Sequence, residues 1–399
     1  MKVLMVSTDE LIIREGSEAY FRMREYGNLF SELHIILFSK EKERNPGEIQ
    51  DKFHGVNLGG IKSNSTGQKK IRENVFVYPV FSICRFFIPF KAFSKVKKII
   101  KGEKKEWVTT TQDLFETGLV GFLLKVFYKI GWQVQVHTDF LSPFFFRQSF
   151  LNKIRVVISK IIIWKADRVR VVSERIKKSL IEIGFKGEKI DVLPIAVQAE
   201  EIKNMPITFD LRKEFPDANF IIFMASRLTP EKNIKLALNA FSEALKINSG
   251  MKLVIAGDGP CKKDLEDEAE KRGIFQDVKF LGKLSYQEVI SGMKTADLFL
   301  SSSVYEGYGM AVVEAAAVGC PVLMTDTGVA GEIIKDGENG MVVPVGLVSK
   351  MAEAIVDLAG DNNKRKKIAE EGKKIVLDLI SKEEYLKKFR EIMELVNKK

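Results

Sequence analysis

The feature that most constrains this chain is the repeated alternation of short apolar runs with longer segments of helical pattern. The apolar runs lie at residues 2–7, 34–38, 107–111, 132–136, 220–225, 252–256, 278–282, 296–300, 321–325 and 339–343. Strands that alternate with helices form parallel sheets, and ligands of such sheets bind beyond the carboxyl ends of the strands. The pattern therefore predicts an α/β fold with doubly wound parallel sheets.

Composition agrees with a globular protein in a reducing compartment. The 399 residues can supply two domain cores, and the hydrophobic content of 45% is ordinary for a globular chain. Cys84, Cys261 and Cys320 lack Cys-x-x-Cys spacing, which argues against a disulfide framework and a structural zinc site. Asp9 and Glu10 interrupt the first apolar run, so we interpret it as a strand rather than a signal peptide.

Two carboxylates, Glu306 and Glu314, bracket a turn and the first turns of a small-residue helix. Gly309 allows the turn to bend before helical residues begin at Met310. The unpaired N–H groups of a helix N-terminus attract anions, most naturally phosphate, and the two carboxylates would suit sugar hydroxyls. The alternative interpretation is an amphipathic helix capped by an acidic turn.

A cation pair follows the strand at 220–225. Arg227 and Lys232 lie between that strand and the next helical segment. Arginine offers a planar fork to phosphate oxygens and lysine a compact mobile charge, so the pair is suited to a departing diphosphate. Two solvated surface cations are the alternative.

These motifs resemble those of the retaining family 4 glycosyltransferases, which carry a Glu-x7-Glu signature and have the GT-B fold. The resemblance covers nearly the whole chain. It implies two Rossmann-like domains with parallel sheets that face each other across a cleft. It also implies that Glu314 binds the nucleotide ribose, Glu306 lies beside the donor sugar, Arg227 and Lys232 clamp the diphosphate, and backbone amides around Gly309 and Met310 contact sugar hydroxyls and phosphate.

Further site residues follow from the same resemblance. His137, at the end of the run at 132–136, is similar to the family's histidine that contacts the donor sugar. The turn at Gly257 and Asp258 corresponds to a loop that lines the nucleotide. Near the N-terminus the chain has Glu15 before Gly16, where family members usually carry a glycine pair that approaches the donor phosphate.

The layout predicts two domains joined by a linker at 195–205. We expect an acceptor-side domain at 1–195 that also includes the last helix, 382–399, and a donor-binding domain at 196–381. In this fold the last helix typically crosses back onto the first domain, where it would couple closure of the two domains.

The net charge of +10 is concentrated in two aromatic and basic segments, at 81–105 and 144–165. Neither is an uninterrupted apolar span of the length that a membrane crossing needs. Such a surface suits the headgroup region of an anionic membrane, although a helix buried on one face and solvated on the other is the alternative. Nucleic acid is disfavoured because no nucleic-acid-binding signature accompanies the charge.

These features together predict a metal-independent, retaining glycosyltransferase. It would move a hexosyl unit from a nucleotide-diphosphate sugar to a membrane lipid, a lipid-linked saccharide or another saccharide, in the cytoplasm or at the cytoplasmic face of the membrane. No cofactor beyond the donor substrate is expected. Three alternatives stay open: a GT-B nucleotide-sugar epimerase, a transferase of the glycogen synthase or sucrose type, and a non-catalytic peripheral membrane scaffold.

Overall fold

The computed structural model describes residues 1–39, 68–82, 85–100 and 104–398, so His54, Cys84 and part of the first aromatic and basic segment lie outside the described residues. The N-terminal half of the described chain forms an eight-stranded sheet in the order β3-β4-β2-β1-β5-β6-β7-β8. Its strands are β1 (Lys2–Ser7), β2 (Glu32–Ser39), β3 (Lys69–Arg72), β4 (Val75–Phe81), β5 (Trp107–Thr111), β6 (Gly131–Val136), β7 (Arg168–Val171) and β8 (Ile190–Val192).

A second sheet, of six strands in the described residues, has the order β11-β10-β9-β12-β13-β14. All of its pairings are parallel. Its strands are β9 (Phe220–Ala225), β10 (Met251–Ala256), β11 (Val278–Gly282), β12 (Leu298–Ser301), β13 (Val322–Thr325) and β14 (Met341–Val343). In the first sheet only the pairing of β3 with β4 is antiparallel among the described pairs.

Helices connect the strands and cover both sheets. In the described residues they are α1 (Glu18–Gly27), α2 (Ile88–Ile99), α3 (Glu116–Tyr128), α4 (Pro143–Gln148), α5 (Phe150–Ile162), α6 (Glu174–Glu182), α7 (Ala199–Asn204), α8 (Leu211–Glu214), α9 (Ile234–Ile247), α10 (Lys262–Lys271), α11 (Tyr286–Thr295), α12 (Met310–Ala317), α13 (Val348–Gly360), α14 (Asn362–Leu377) and α15 (Lys382–Asn397). None of these helices combines the length and the apolar character needed to cross a membrane.

Burial explains why the central strands read as continuous apolar runs. Strand β1 lies between β2 and β5, and β9 lies between β10 and β12. Alternate residues of each of these two strands belong to different hydrophobic clusters that also contain helix residues, so helices cover both of their faces. Five of the six residues in each of these strands are buried. Parallel strands that are covered on both faces select apolar residues at every position rather than at alternate ones. The predicted α/β architecture of two doubly wound parallel sheets is confirmed.

The last helix packs on the N-terminal sheet. Phe389 and Met393 of α15 are fully buried in one hydrophobic cluster with Val3 and Val108. The Phe389 ring stacks on Tyr26 of α1, with 4.9 Å between ring centroids. The chain therefore returns to its first sheet after completing the second, while the domain limits drawn from the sequence stay a prediction.

We expect Phe389→Ala to lower the free energy of unfolding by about 3–5 kcal/mol, because a fully buried aromatic ring leaves a cavity when truncated. The matched control is Leu395→Ala on the same helix, since the Leu395 side chain is 44% exposed. Urea unfolding followed by circular dichroism measures both variants. Equal losses in the two variants would contradict the packing of α15 described above.

Candidate active site

A cavity of about 270 Å³ lies at the carboxyl ends of β6, β9 and β12. The N-terminal half contributes His137 and Ile195 to its wall, and the C-terminal half contributes the remainder. Five residues predicted from the sequence line it: His137, Lys232, Glu306, Gly309 and Met310. The fold thus brings together side chains that are up to 173 positions apart in the chain (310 minus 137).

Lys232 and Glu306 form an ion pair inside this cavity. The Lys232 ammonium donates to Oε1 of Glu306, and both side chains are largely buried. Ser303 Oγ donates to the same carboxylate oxygen at 2.8 Å, and Ser302 Oγ donates to the Lys232 carbonyl at 2.8 Å. The loop after β12 therefore holds both members of the pair, and an incoming anion would meet a cation whose position is already set.

Arg227 lies outside the cavity wall. Its side chain is 75% exposed and donates to Glu231 at 3.2 Å. Burial raises the pKa of Glu231, but hydrogen bonds, first that from Thr229, and nearby cations lower it more, so the pKa of this carboxyl is below its usual value. Gln148 of α4 also donates to Glu231, at 3.1 Å. The Arg227 guanidinium is thus tethered by a carboxylate that also contacts the N-terminal half.

Gly307 determines how closely the halves approach at the cavity, and Gly309 sets the start of α12. A Cβ atom at Gly307 would lie 1.8 Å from the His137 carbonyl oxygen, so only glycine lets these two backbone segments meet. Ser173 Oγ donates to the Gly307 carbonyl at 3.0 Å from the same side. Gly309 has φ of 94° and is the residue that caps α12. Its left-handed conformation directs the first residues of α12, Met310 and Ala311, into the cavity wall.

A second cavity, of about 490 Å³, holds Glu314. Ile195 and Met310 line both cavities, so the two share a wall. Tyr286 donates to Glu314 Oε1 at 3.1 Å. Burial, helped by the nearby charge of Glu18, raises the pKa of Glu314 despite that hydrogen bond. The two predicted carboxylates therefore occupy neighbouring cavities that share Met310, the first residue of α12.

Gly16, Gly257 and Asp258 do not line the cavities described above. A Cβ atom at Gly257 would lie 1.8 Å from the Ser226 carbonyl, and the Asp258 carbonyl accepts from Leu228 N–H at 3.0 Å. These two residues thus support the loop that carries Arg227. Gly16, with φ of 83°, directly precedes the residue that caps α1.

His137 is linked by hydrogen bonds to two buried polar residues that the sequence analysis missed. Its Nε2 lies 3.1 Å from Gln135 Oε1, and that oxygen accepts from the Arg170 guanidinium at 2.7 Å. Burial, then the charges of Arg170 and Arg22, lower the pKa of His137 to about 3. Gln135 and Arg170 lie inside strands, and no motif marks them. The available signal was a charged residue within an otherwise apolar strand pattern.

The chain matches two family models in succession. Residues 58–201 match Glycosyltransferase Family 4, and residues 208–375 match Glycosyl transferases group 1. An alpha-monoglucosyldiacylglycerol synthase of Streptococcus pneumoniae is 28% identical over 65% of this chain and 60% of the synthase. An uncharacterised glycosyltransferase of Methanocaldococcus jannaschii is 25% identical over 82% of this chain and 87% of that protein.

Solved structures agree on the fold. Anabaena HepE, in complex with UDP and glucose, superimposes with a TM-score of 0.73 at 19% identity, over 99% of each chain. A sucrose-phosphate synthase of Thermosynechococcus elongatus has a TM-score of 0.75 at 16% identity, over 98% of each chain. Together with the two family models, these relatives support a glycosyltransferase of the GT-B fold, as the sequence predicted.

We expect Gly307→Ala to lower the free energy of unfolding by about 1–3 kcal/mol, because the new methyl group must push the 307 and 137 backbones apart. Gly360→Ala is the matched control, since a Cβ atom at Gly360 would meet nothing within 4 Å. Thermal unfolding gives the stability, and small-angle scattering gives the separation of the halves. An unchanged stability for Gly307→Ala would contradict the close contact.

Proposed function

We propose that this glycosyltransferase moves a hexosyl unit from a nucleotide-diphosphate sugar to an acceptor, with retention and without a bound metal. The observation that carries the proposal is the convergence of Lys232, Glu306 and the start of α12 on one cavity, closed by His137 from the other half. A cation, backbone N–H groups and sugar-binding acceptors are the groups that a sugar diphosphate requires.

The leaving diphosphate accounts for the cations. Breaking the bond between sugar and diphosphate builds negative charge on the diphosphate and positive charge on the sugar. Lys232, helped by Arg227 from the cavity mouth, would neutralise the negative charge where a metal ion does so in other enzymes. The N–H groups of Gly309 and Met310 add the positive end of α12.

The carboxylates would bind hydroxyls. Glu306 lies beside Lys232, where the sugar adjoins the diphosphate, and we assign it to the donor sugar. Glu314 and Tyr286, in the adjoining cavity, would hold the ribose, so the nucleotide would run from one cavity into the other. HepE was solved with UDP and with UDP-glucose, which supports a nucleotide sugar as donor. Contacts of Gly16, Gly257 and Asp258 with the nucleotide stay a prediction.

A membrane lipid or lipid-linked saccharide is the acceptor that we propose. An aromatic and basic face of the N-terminal half exposes Phe86, Phe87 and Phe90 around the start of α2, and Phe127 near the end of α3, beside Lys91, Lys97 and Lys98. Helix α5 exposes Phe150, Val157 and Ile161 in the same half. The diacylglycerol relative supports the same choice of acceptor by its name.

A third cavity lies between the reaction centre and helices α4 and α5. It has a volume of about 450 Å³, and its lining includes Phe144 of α4, Lys160 of α5 and Glu306. Since Glu306 also lines the donor cavity, an acceptor entering past α4 and α5 would approach the donor sugar from the opposite side of this carboxylate.

We expect Lys232→Ala to lower kcat by about 10²–10³-fold, because one charge that stabilises the leaving group is lost. Arg227→Ala is also expected to lose most turnover. Lys235→Ala is the matched control, since Lys235 is exposed, pairs with Glu268 and lines none of the three cavities. Transfer is measured with and without a chelator. Near wild-type turnover in Lys232→Ala, or loss of turnover with chelator, would overturn this mechanism.

The donor is identified by thermal shift with UDP-, GDP- and ADP-sugars, because a ligand that binds only the folded state raises its stability. We expect one nucleotide to raise the melting temperature of the wild type and to lose this effect in Glu314→Ala. Glu338→Ala, an exposed carboxylate outside the cavities, is the control. Epimerised free nucleotide sugar would instead identify an epimerase, and no shift with any donor would favour a scaffold.

Vesicle sedimentation tests the acceptor side. We expect anionic vesicles to pellet the wild type better than neutral ones, and the triple variant Phe87→Ser, Phe90→Ser, Phe127→Ser to bind about tenfold less, because three exposed rings are removed. Ile247→Ser is the control, because Ile247 is comparably exposed but lies on the C-terminal half. Equal pelleting of both vesicle types would argue against the membrane surface.

A further inference from the structure

A line of polar side chains crosses the buried N-terminal sheet and ends at the donor cavity. Thr110 of β5, Gln135 of β6 and Arg170 of β7 are all buried. Gln135 Nε2 donates to Thr110 Oγ1 at 3.0 Å, while Gln135 Oε1 faces both Arg170 and His137. Buried polar groups are retained only when they are paired, and here the pairing leads to a residue of the proposed site.

Arg170 is a buried cation with neutral partners. Its guanidinium donates to the Leu193 carbonyl through Nε at 3.2 Å and through Nη2 at 3.0 Å, and to Gln135 through Nη1. Its third neighbour is the ring of Tyr385 of α15, 5.3 Å from the guanidinium carbon. No carboxylate pairs with it among the described residues. A buried charge without a counter-charge is costly, so structural stability alone is a poor reason for an arginine here.

Arginine can only donate hydrogen bonds, and this determines which atom donates and which accepts along the hydrogen-bonded series from Arg170 to His137. Because a guanidinium cannot accept a hydrogen bond, the Gln135 atom that faces it must be the carbonyl oxygen. The His137 nitrogen that faces the same oxygen, Nε2, must therefore carry the proton. Nδ1 is left with its lone pair and has no hydrogen-bond partner among the described residues, while the ring lines the donor cavity.

Burial, with the surrounding charges, keeps this ring neutral. Burial, Arg170 and Arg22 hold the pKa of His137 at about 3, and Lys232 and Glu306 line the same cavity as a mutually neutralising pair. A histidine with so low a pKa stays uncharged as the pH falls from 8 to 5, so its hydrogen-bonding role does not change over that range.

We infer that Arg170 is a positioning residue: acting through Gln135, it holds His137 as the neutral tautomer with the proton on Nε2, so that Nδ1 accepts a hydrogen bond from a hydroxyl of the donor sugar. The consequence for catalysis rests on the proposed function. Positive charge grows on the sugar as the diphosphate leaves. A neutral His137 that accepts a hydrogen bond is compatible with this charge, whereas an imidazolium would repel it.

Long-range 1H–15N correlation on the 15N-labelled full chain reads the tautomer directly. The chain has three histidines, and His137→Asn assigns the signal of interest. We expect wild-type His137 to show a protonated Nε2 and an unprotonated Nδ1 from pH 8 to 5. A proton on Nδ1, or titration of His137 above pH 5, would overturn the inference whether or not the chain transfers sugars.

Variants of Arg170 test its role. In Arg170→Met we expect the pKa of His137 to rise but to stay below its ordinary value near 6.5, because burial, the largest cause of its low pKa, remains. We expect both tautomers to be populated and kcat to fall about 10- to 100-fold, with activity lost at a higher pH than in the wild type. The sign follows because activity requires the neutral ring, which is lost as the pH drops through its pKa. Arg170→Lys retains a charged donor and is expected to recover most of the tautomer preference.

Arg168→Met is the matched control on the same strand, because Arg168 is partly buried but pairs with Asp191 at 2.6 Å. Its His137 spectrum and pH profile should equal those of the wild type. The His34 signal is an internal control, since His34 contacts Tyr78 and Glu32 instead. A folded Arg170→Met with an unchanged His137 spectrum and pH profile would overturn the inference. If Arg170→Met does not fold, Arg170→Lys and the wild-type spectrum decide.

Discussion

The contact between Gly307 and the His137 carbonyl is the constraint on which the site depends. It joins the loop after β12 to the end of β6, which are carried by different sheets. Around it, one hydrophobic cluster runs without a break from Val172 and Ile176 of the first half to Tyr308 and Val312 of the second. The walls of the donor cavity come from both sides of this contact. The shape of the cavity therefore depends on how closely the backbones at Gly307 and His137 approach, rather than on side chains that could repack.

Charge is distributed unequally across the cleft. On the C-terminal side, Lys232 and Glu306 neutralise each other, so the donor site holds a preset cation without a large net charge. On the N-terminal side, the Arg170 partners among the described residues are carbonyl oxygens and an aromatic ring, so its charge is not neutralised there. The two arrangements have different consequences. A paired cation can exchange its carboxylate partner for an incoming phosphate, whereas an unpaired cation shifts the pKa values of neighbouring groups.

Sequence reasoning predicted the parts of the molecule that local pattern determines. The limits of β1, β5, β9 and β11 agree with the sequence, because caps and turn residues bound these apolar runs, and α15 begins at Lys382 as predicted. The structure brings His137, Lys232 and Glu306 together in one cavity, while their roles stay a prediction. Strand β7 was missed because Arg168 and Arg170 alternate with valines, and their partners come from strands that only the topology brings near. The support that Gly257 and Asp258 give to the loop carrying Arg227 was likewise not visible from the sequence, because it depends on contacts with Ser226 and Leu228.

Helix α15 also sets an order of events during synthesis. Its first residue, Lys382, is translated roughly 200 residues after Arg170, which at about 5–20 residues per second is on the order of 10–40 s. Throughout that interval Tyr385 cannot cover the guanidinium, and Phe389 cannot fill the core beside β1. The N-terminal half therefore emerges from the ribosome before the helix that completes it, and a nascent chain has no assembled cleft until its second half has been made.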